Sequence, residues 1–290
     1  AEGLAQKIVD NLTKEYNLDG LTYNSSASIG VTLFNNENLP KEDLLKQADM
    51  AMYKAKYAGR NAVQFFDPQM QVAVSSRATI ISDLYSAIQS QQFVLFYQKQ
   101  VNHLEQCIGV EVLLRWIHPE KGMVSPLQFI PLAEETGLIV PIGKWVLEEA
   151  CATLAKWSLE SEKQHLSIAV NISVVQFSKD NFVQTVLNAL KTSGANPQLL
   201  KLEITETLLA NNIPDVKAKM KELQQHGVTF SIDDFGTGYS SLSYLKQLPI
   251  NQLKIDQGFV RDIINSSNDK AIAQAVITLA DSMELQVIAE

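Results

Sequence analysis

From Gln92 to Ala289 short apolar, β-favouring segments alternate with amphipathic helical ones, and this alternation constrains the fold more than anything else in the chain. Strands are read at Gln92–Gln98, Ile108–Trp116, Leu166–Ile172, Leu199–Thr205, Val228–Asp233, Gln252–Asp256 and Leu285–Ala289. Helices are read at Pro126–Glu135, Pro141–Trp157, Asn181–Thr192, Asp215–His226 and Asp269–Met283; the first two open with Pro, as helix first turns often do. Mostly apolar strands in repeated βα units argue for parallel strands wrapped by helices, so the expected class is α/β. Seven such strands fit a (β/α)8 barrel one strand short.

The stretch before them reads helix, strand, helix, strand over residues 1 to about 66, with strands at Ser26–Phe34 and Val63–Phe66 and a helix from Asp43 with Gly59 as its C′ cap. The polar, weakly patterned run from Pro68 to Val74 precedes an amphipathic helix at Ala78–Gln89. This places a domain over residues 1–67, a linker over 68–78 and the barrel over 79–290. The chain opens within a helical pattern and has no initiator Met, which reads as a piece of a longer protein.

Charge narrows the function. The formal net charge is −8 and no basic run occurs, so the phosphate-neutralising surface of a nucleic-acid polymer binder is missing from the sequence. A small phosphorylated ligand stays open, because metal ions held by carboxylates supply positive charge of their own. No run of about 18 apolar residues appears. Cys107 and Cys151 lack metal or redox spacing, suit a reducing compartment and read as small core residues.

Polar residues interrupt the apolar strands at or near their C-terminal ends: Glu111, Asn171, Glu203, Asp233 with Asp234, Lys254 and Glu290. Each is costly to bury singly, and in a barrel those ends share one mouth. Glu, Asn and Asp oxygens without His or Cys suit Mg2+ or Mn2+. Asp233-Asp234, like charges at a strand tip with no Lys or Arg in the loop, are placed to bridge two cations, and a two-metal site is suited to phosphodiester hydrolysis. Taken alone, Asp-Asp-Phe-Gly fits equally an Asp-rich turn, with Gly236 and Gly238 bending the chain and Ser240 or Ser241 capping a helix.

From about Thr79 to Glu290 the chain resembles the EAL domain, the cyclic di-GMP phosphodiesterase family, through YQKQV at Tyr97, EVLLRWIHPEKGMVSP at Glu111, FIPLAEETGLI at Phe129, VNIS at Val170, EITET at Glu203, DDFGTGYSSLSYLKQLPIN at Asp233 and LKID at Leu253. The first part resembles the C-terminal portion of a GGDEF domain through SASIGVTLF, LLKQADMAMYKAKYAGRNAV and FFD; the signature loop of that family is not in the sequence. The resemblance implies a modified TIM barrel, here ending before its last strand, and hydrolysis of cyclic di-GMP to linear pGpG. It implies that Glu111, Asn171, Glu203 and Asp233 bind one Mg2+ or Mn2+, that Asp233 and Asp234 hold a second with help from Glu290, and that Lys254 contacts the attacking water. Gln98, Leu113 and Arg115 match ligand-contacting positions, and Glu206 matches the residue that steadies the Asp-Asp-Phe-Gly loop. The alternative within the family is a receptor that binds cyclic di-GMP with weak or no turnover. A cytoplasmic location, a homodimer through the EAL domain, and a sensory or inner-membrane region upstream are further implications.

Three departures stand out. The naming triplet reads Glu111-Val112-Leu113, which keeps Glu111 and Leu113 on one strand face. Tyr97-Gln98-Lys99 replaces a Tyr-Gln-Pro. The sequence ends at Glu290, before the family's closing strand, so this chain by itself is expected to be poorly soluble or inactive.

Overall fold

The computed structural model describes the chain apart from residues 19, 20, 24, 35–38, 58, 211 and 237–244. It forms two compact units, residues 1–82 and 83–290. Among the described residues no helix is long and apolar enough to cross a membrane.

The first unit begins with helix α1 (Glu2–Leu12), followed by a two-stranded antiparallel sheet of β1 (Tyr16–Leu18) and β2 (Leu21–Tyr23). Strand β3 (Ile29–Val31) pairs in parallel with β4 (Val63–Phe65) across helix α2 (Lys41–Tyr57). Gly30 is required there: a Cβ would lie 1.9 Å from the Ala48 carbonyl oxygen, so only a bare Cα lets α2 come this close. The β1–β2 pair is absent from the helix, strand, helix, strand reading, and the expected strand at Ser26–Phe34 is reduced to Ile29–Val31.

Residues 68–78, expected as a weakly patterned linker, form the first half of helix α3 (Pro68–Gln89). Asp67 accepts a hydrogen bond from the Gln69 amide at 2.9 Å and Pro68 fills the first turn, a start signal stronger than the polar composition that follows. Met70, Val74, Ile81, Leu84 and Ala87 then recur at helical spacing, and Met70, Leu84 and Ala87 are buried.

The second unit is a curled, open half-barrel with the order β12-β11-β10-β9-β8-β6-β5, and β7 pairs with the C-terminal end of β6 off this path. Its strands are β5 (Phe93–Val101), β6 (Cys107–His118), β7 (Gly122–Val124), β8 (Ser167–Ile172), β9 (Leu200–Thr205), β10 (Thr229–Phe235), β11 (Gln252–Ile255) and β12 (Gln286–Ala289). Helices α4 (Pro126–Thr136), α5 (Ile139–Trp157), α6 (Val174–Phe177), α7 (Phe182–Ser193), α8 (Ile213–Gln225) and the helix Ser267–Ser282 lie between them. The expected modified TIM barrel is borne out, with one correction. Strand β5 runs antiparallel to β6, because residues 102–106 close a tight turn in which Asn102 Oδ1 accepts from the amides of Leu104 and Gln106. A parallel pairing would need a crossover of a dozen or more residues.

Alternation sorts each strand. Leu200, Leu202 and Ile204 of β9, Phe230 and Ile232 of β10, and Leu253 and Ile255 of β11 are buried on one face. The intervening residues, Lys201, Glu203, Ser231, Asp233, Gln252 and Lys254, take the other face, into the barrel. Five of the strand pairs along the path are parallel, so the C-terminal ends of β6, β8, β9, β10, β11 and β12 share one rim.

Candidate active site

Lys254 is the centre of the site. Its side chain is 1% exposed, and its Nζ lies 2.8 Å from Glu203 Oε2 and 3.1 Å from both Glu111 Oε2 and Asp233 Oδ1, with Glu290 Oε1 also in contact. Asn171 joins through its Nδ2, which donates to Glu111 Oε1 at 2.7 Å. Register explains the convergence: Asn171 and Glu203 are direct partners between β8 and β9, and Asp233 follows Ser231, the partner of Glu203, by one alternation. A single ammonium thus faces four carboxylates, a surplus of negative charge in a place from which water is largely excluded.

The backbone aims the paired aspartates. The register between β10 and β11 shifts between Ile232 and Phe235, and Asp234 takes φ +53°, a left-handed conformation that Asp tolerates better than most residues. The Asp234 amide donates to Asp233 Oδ1 at 3.0 Å. One oxygen from each of Asp233, Asp234 and Glu290 lies within 4.8 Å of the other two, close enough to share a cation. Beyond the bulge Gly236 has φ +100°, and its amide donates to Glu206 Oε2 at 3.4 Å, so Glu206 does meet the Asp-Asp-Phe-Gly turn. Gly238, Ser240 and Ser241 lie outside the described residues.

Protonation follows from this crowding. Burial pushes the Glu203 carboxyl up to about 8, with Lys254 pulling the other way and Glu111 and Asp233 adding repulsion. Burial, then Asp233, Asp256 and Glu290, push Asp234 up to about 6. Glu290 is raised by burial against the pull of Lys254. Burial would push the Lys254 ammonium down, but Glu203, Asp233 and Glu111 outweigh it and hold the proton more tightly than an ordinary lysine does. Glu203 Oε1, fully buried, has no hydrogen-bond partner among the described residues. An orphaned carboxylate oxygen beside other hard oxygens is the donor set a divalent cation of the Mg2+ or Mn2+ type takes, so the residues present fit such an ion.

On the far side, β5 and β6 bring the remaining expected residues to the same face. Gln98 is the direct partner of Glu111 and Leu113 the partner of Phe96. A cleft of about 350 Å3 has Gln98, Glu111, Lys254 and Glu290 in its wall. Arg115 stands two alternations along from Glu111, and its Nη1 donates to the Leu114 carbonyl at 2.9 Å. Asp256 is a residue the sequence reading missed. Its carboxyl helps to raise that of Asp234, and it caps the helix Gln257–Arg261 by accepting from the Gly258 amide at 2.8 Å. Its signal in the sequence is a carboxylate just past a strand end in LKID, the same segment that supplies Lys254.

Comparison with known proteins identifies the family. Residues 81–290 match the EAL domain family, and residues 1–62 match the diguanylate cyclase GGDEF domain family. The chain is 42% identical over 291 aligned positions to the bifunctional diguanylate cyclase/cyclic di-GMP phosphodiesterase MucR of Pseudomonas aeruginosa, covering 100% of this chain and 42% of that protein. It is 38% identical to the cyclic di-GMP phosphodiesterase NbdA of the same organism, covering 99% of this chain and 37% of that protein. The chain therefore spans about four-tenths of the length of these curated relatives. The solved structure of the PaMucR phosphodiesterase in complex with c-di-GMP superposes with a TM-score of 0.70 at 44% identity, covering 73% of this chain and 85% of that one. With the half-barrel, the acidic rim and the match over residues 81–290 all in place, the chain belongs to the EAL domain family, with a GGDEF-domain portion ahead of it.

Proposed function

We propose that the second unit is a divalent-metal-dependent phosphodiesterase that hydrolyses cyclic di-GMP to linear pGpG. The observation that carries this reading is the convergence of Glu111, Glu203, Asp233 and Glu290 on Lys254, with Asn171 tied to Glu111. Relatives named as cyclic di-GMP phosphodiesterases, and the similar structure in complex with c-di-GMP, supply the substrate class.

In this reading Glu111, Asn171, Glu203 and Asp233 would hold one Mg2+ or Mn2+, and Asp233 with Asp234 a second, with Glu290 in support. A bound divalent cation supplies positive charge to the phosphate and lowers the pKa of water toward neutrality. Lys254, kept protonated by its carboxylates, orients the attacking water and offsets charge developing on the phosphate oxygens. The water oxygen forms the new bond to phosphorus, the 3′ oxygen leaves with a proton, and the product carries a 5′ phosphate. Gln98, Leu113 and Arg115 contact the ligand, and Glu206 holds the turn at Gly236.

Chromatography of cyclic di-GMP incubated with the full-length protein tests the proposal. pGpG is expected with Mg2+ or Mn2+ and not with a chelator. Intact cyclic di-GMP under all metal conditions overturns it.

A further inference from the structure

We propose that Phe96, with the Arg115 guanidinium over its ring, forms a shelf on which one guanine of the cyclic dinucleotide stacks. The inference rests on the phosphodiesterase reading above and adds a residue to it.

Strand alternation fixes where Phe96 points. Its neighbour Tyr97 packs away from the barrel interior, its ring 5.9 Å from that of Trp157 and its hydroxyl 3.0 Å from Thr153 Oγ1, both on α5. Phe96 and Gln98 therefore share the opposite face. Direct antiparallel partners lie on the same side of a sheet, so Phe96 stands beside Leu113 as Gln98 stands beside Glu111. Leu113 is one alternation beyond Glu111 toward the C-terminal end of β6, which puts Phe96 on the rim side of the acidic cluster.

Phe96 is 47% exposed, and the Arg115 Cζ lies 5.6 Å from its ring centroid. Scattered exposed apolar side chains are ordinary. An open aromatic face in register with a site residue and under a cation is a different arrangement. Every nucleobase has a π-face, stacking on an aromatic ring tolerates any base, and a guanidinium adds cation–π attraction and a positive charge for the neighbouring phosphate. A purine dinucleotide is the ligand chemistry that uses all three.

Steady-state kinetics on cyclic di-GMP with Phe96→Leu and Phe96→Trp in the full-length protein test this. Leu keeps the apolar bulk and removes the π-face, whereas Trp keeps both. The expected result is a KM raised by about 5- to 150-fold in Phe96→Leu, the range for losing one stacked base, with kcat and melting temperature held, and a KM restored in Phe96→Trp. A wild-type KM in Phe96→Leu overturns the shelf while leaving the phosphodiesterase reading intact. If Phe96→Leu and Phe96→Trp lose kcat equally, Phe96 is a packing residue and the proposal is likewise wrong. Failure of the unaltered protein to turn over cyclic di-GMP removes the reading beneath the shelf, and the shelf with it.

Discussion

The Lys254 ammonium and the Glu203 carboxylate meet at 2.8 Å with their side chains 1% and 0% exposed. Such a pair contributes little net stability when whole but is expensive to break, because the survivor is left buried and uncompensated. Lys254→Met should lower metal-free stability by about 3–5 kcal/mol, and saturating Mn2+ should recover more stability in the variant than in the unaltered protein. Urea denaturation with chelator and with Mn2+ checks both. An unchanged midpoint in chelator would show that the carboxylates do not need this cation.

Asp233 touches Lys254 and also groups with Asp234 and Glu290. Asp233→Asn preserves shape and removes one charge shared by both proposed cation sites. Losing even an outer-shell partner of a metal ligand typically costs 10–100-fold, so hydrolysis should fall by at least about 100-fold while far-ultraviolet circular dichroism stays the same. Retained turnover in this variant would argue against the two-cation assignment.

Away from the site, Asp83 of α3 fastens the end of β6. His118 is 8% exposed; its Nδ1 accepts from the amides of Glu120 and Lys121 at 3.1 Å, which leaves Nε2 to donate to Asp83 Oδ2 at 3.2 Å. Lys121 Nζ reaches the same oxygen at 2.6 Å, and its hydrogen bond to Asp83 is the largest influence holding that carboxyl below its ordinary range. Asp83→Ala orphans a buried N–H and should cost about 1–3 kcal/mol. A double-mutant cycle with His118→Ala should show the two losses to be less than additive; full additivity would mean the contact is energetically idle.

The raised carboxyls predict a pH dependence with a definite sign. Asp234 moves from 3.8 to about 6 and Glu203 from 4.5 to about 8, so the folded state holds these protons more tightly than the unfolded one. Their contribution is complete at low pH and is lost as pH climbs from near 4 through about 8. Lys254, raised above its ordinary value, contributes constant stability across that window. Metal-free stability should therefore decline from about pH 5 to about pH 8.5, and divalent metal, which binds the deprotonated forms, should flatten the decline. Urea midpoints across that range decide the matter; a midpoint that rises with pH in chelator refutes it.

The sequence carried the site further than it carried the connections. Glu111, Asn171, Glu203, Asp233, Lys254 and Glu290 were visible because charge inside an apolar strand is costly, and strand ends in a barrel share a rim. The antiparallel β5–β6 pairing is legible in the sequence after all, because the nine positions between Gln98 and Ile108 are too few for the crossover of a dozen or more residues that a parallel pair needs. The first half of α3 hides behind its polar composition, and its helical signals, the cap at Asp67 and the buried Met70, are local and few. The β1–β2 pair depends on strands of three residues, too short to show a period. Asp256 and Phe96 acquire meaning only from neighbours distant in sequence, Asp234 for one and Arg115 for the other.

Asp234 combines two costs, a left-handed backbone at φ +53° and a carboxyl raised by burial and by Asp233, Asp256 and Glu290. Neither cost helps the protein fold; both would be offset by the proposed cation, which would draw the carboxylates together. Asp234→Asn removes the charge and keeps a side chain that tolerates the left-handed region, so above about pH 6, where Asp234 is ionised, the metal-free variant should be the more stable protein. With Mn2+ present the order should reverse, since the variant lacks one anionic ligand, and Mn2+ affinity should drop by about 10-fold or more. Melting temperatures with chelator and with Mn2+, alongside calorimetric titration of Mn2+, test the crossing. If Asp234→Asn is less stable than the unaltered protein in chelator at high pH, the repulsion is not paid in the folded state and Asp234 serves packing. If it binds Mn2+ as tightly as the unaltered protein, Asp234 is not a ligand, and the cation site belongs to Asp233 and Glu290 alone.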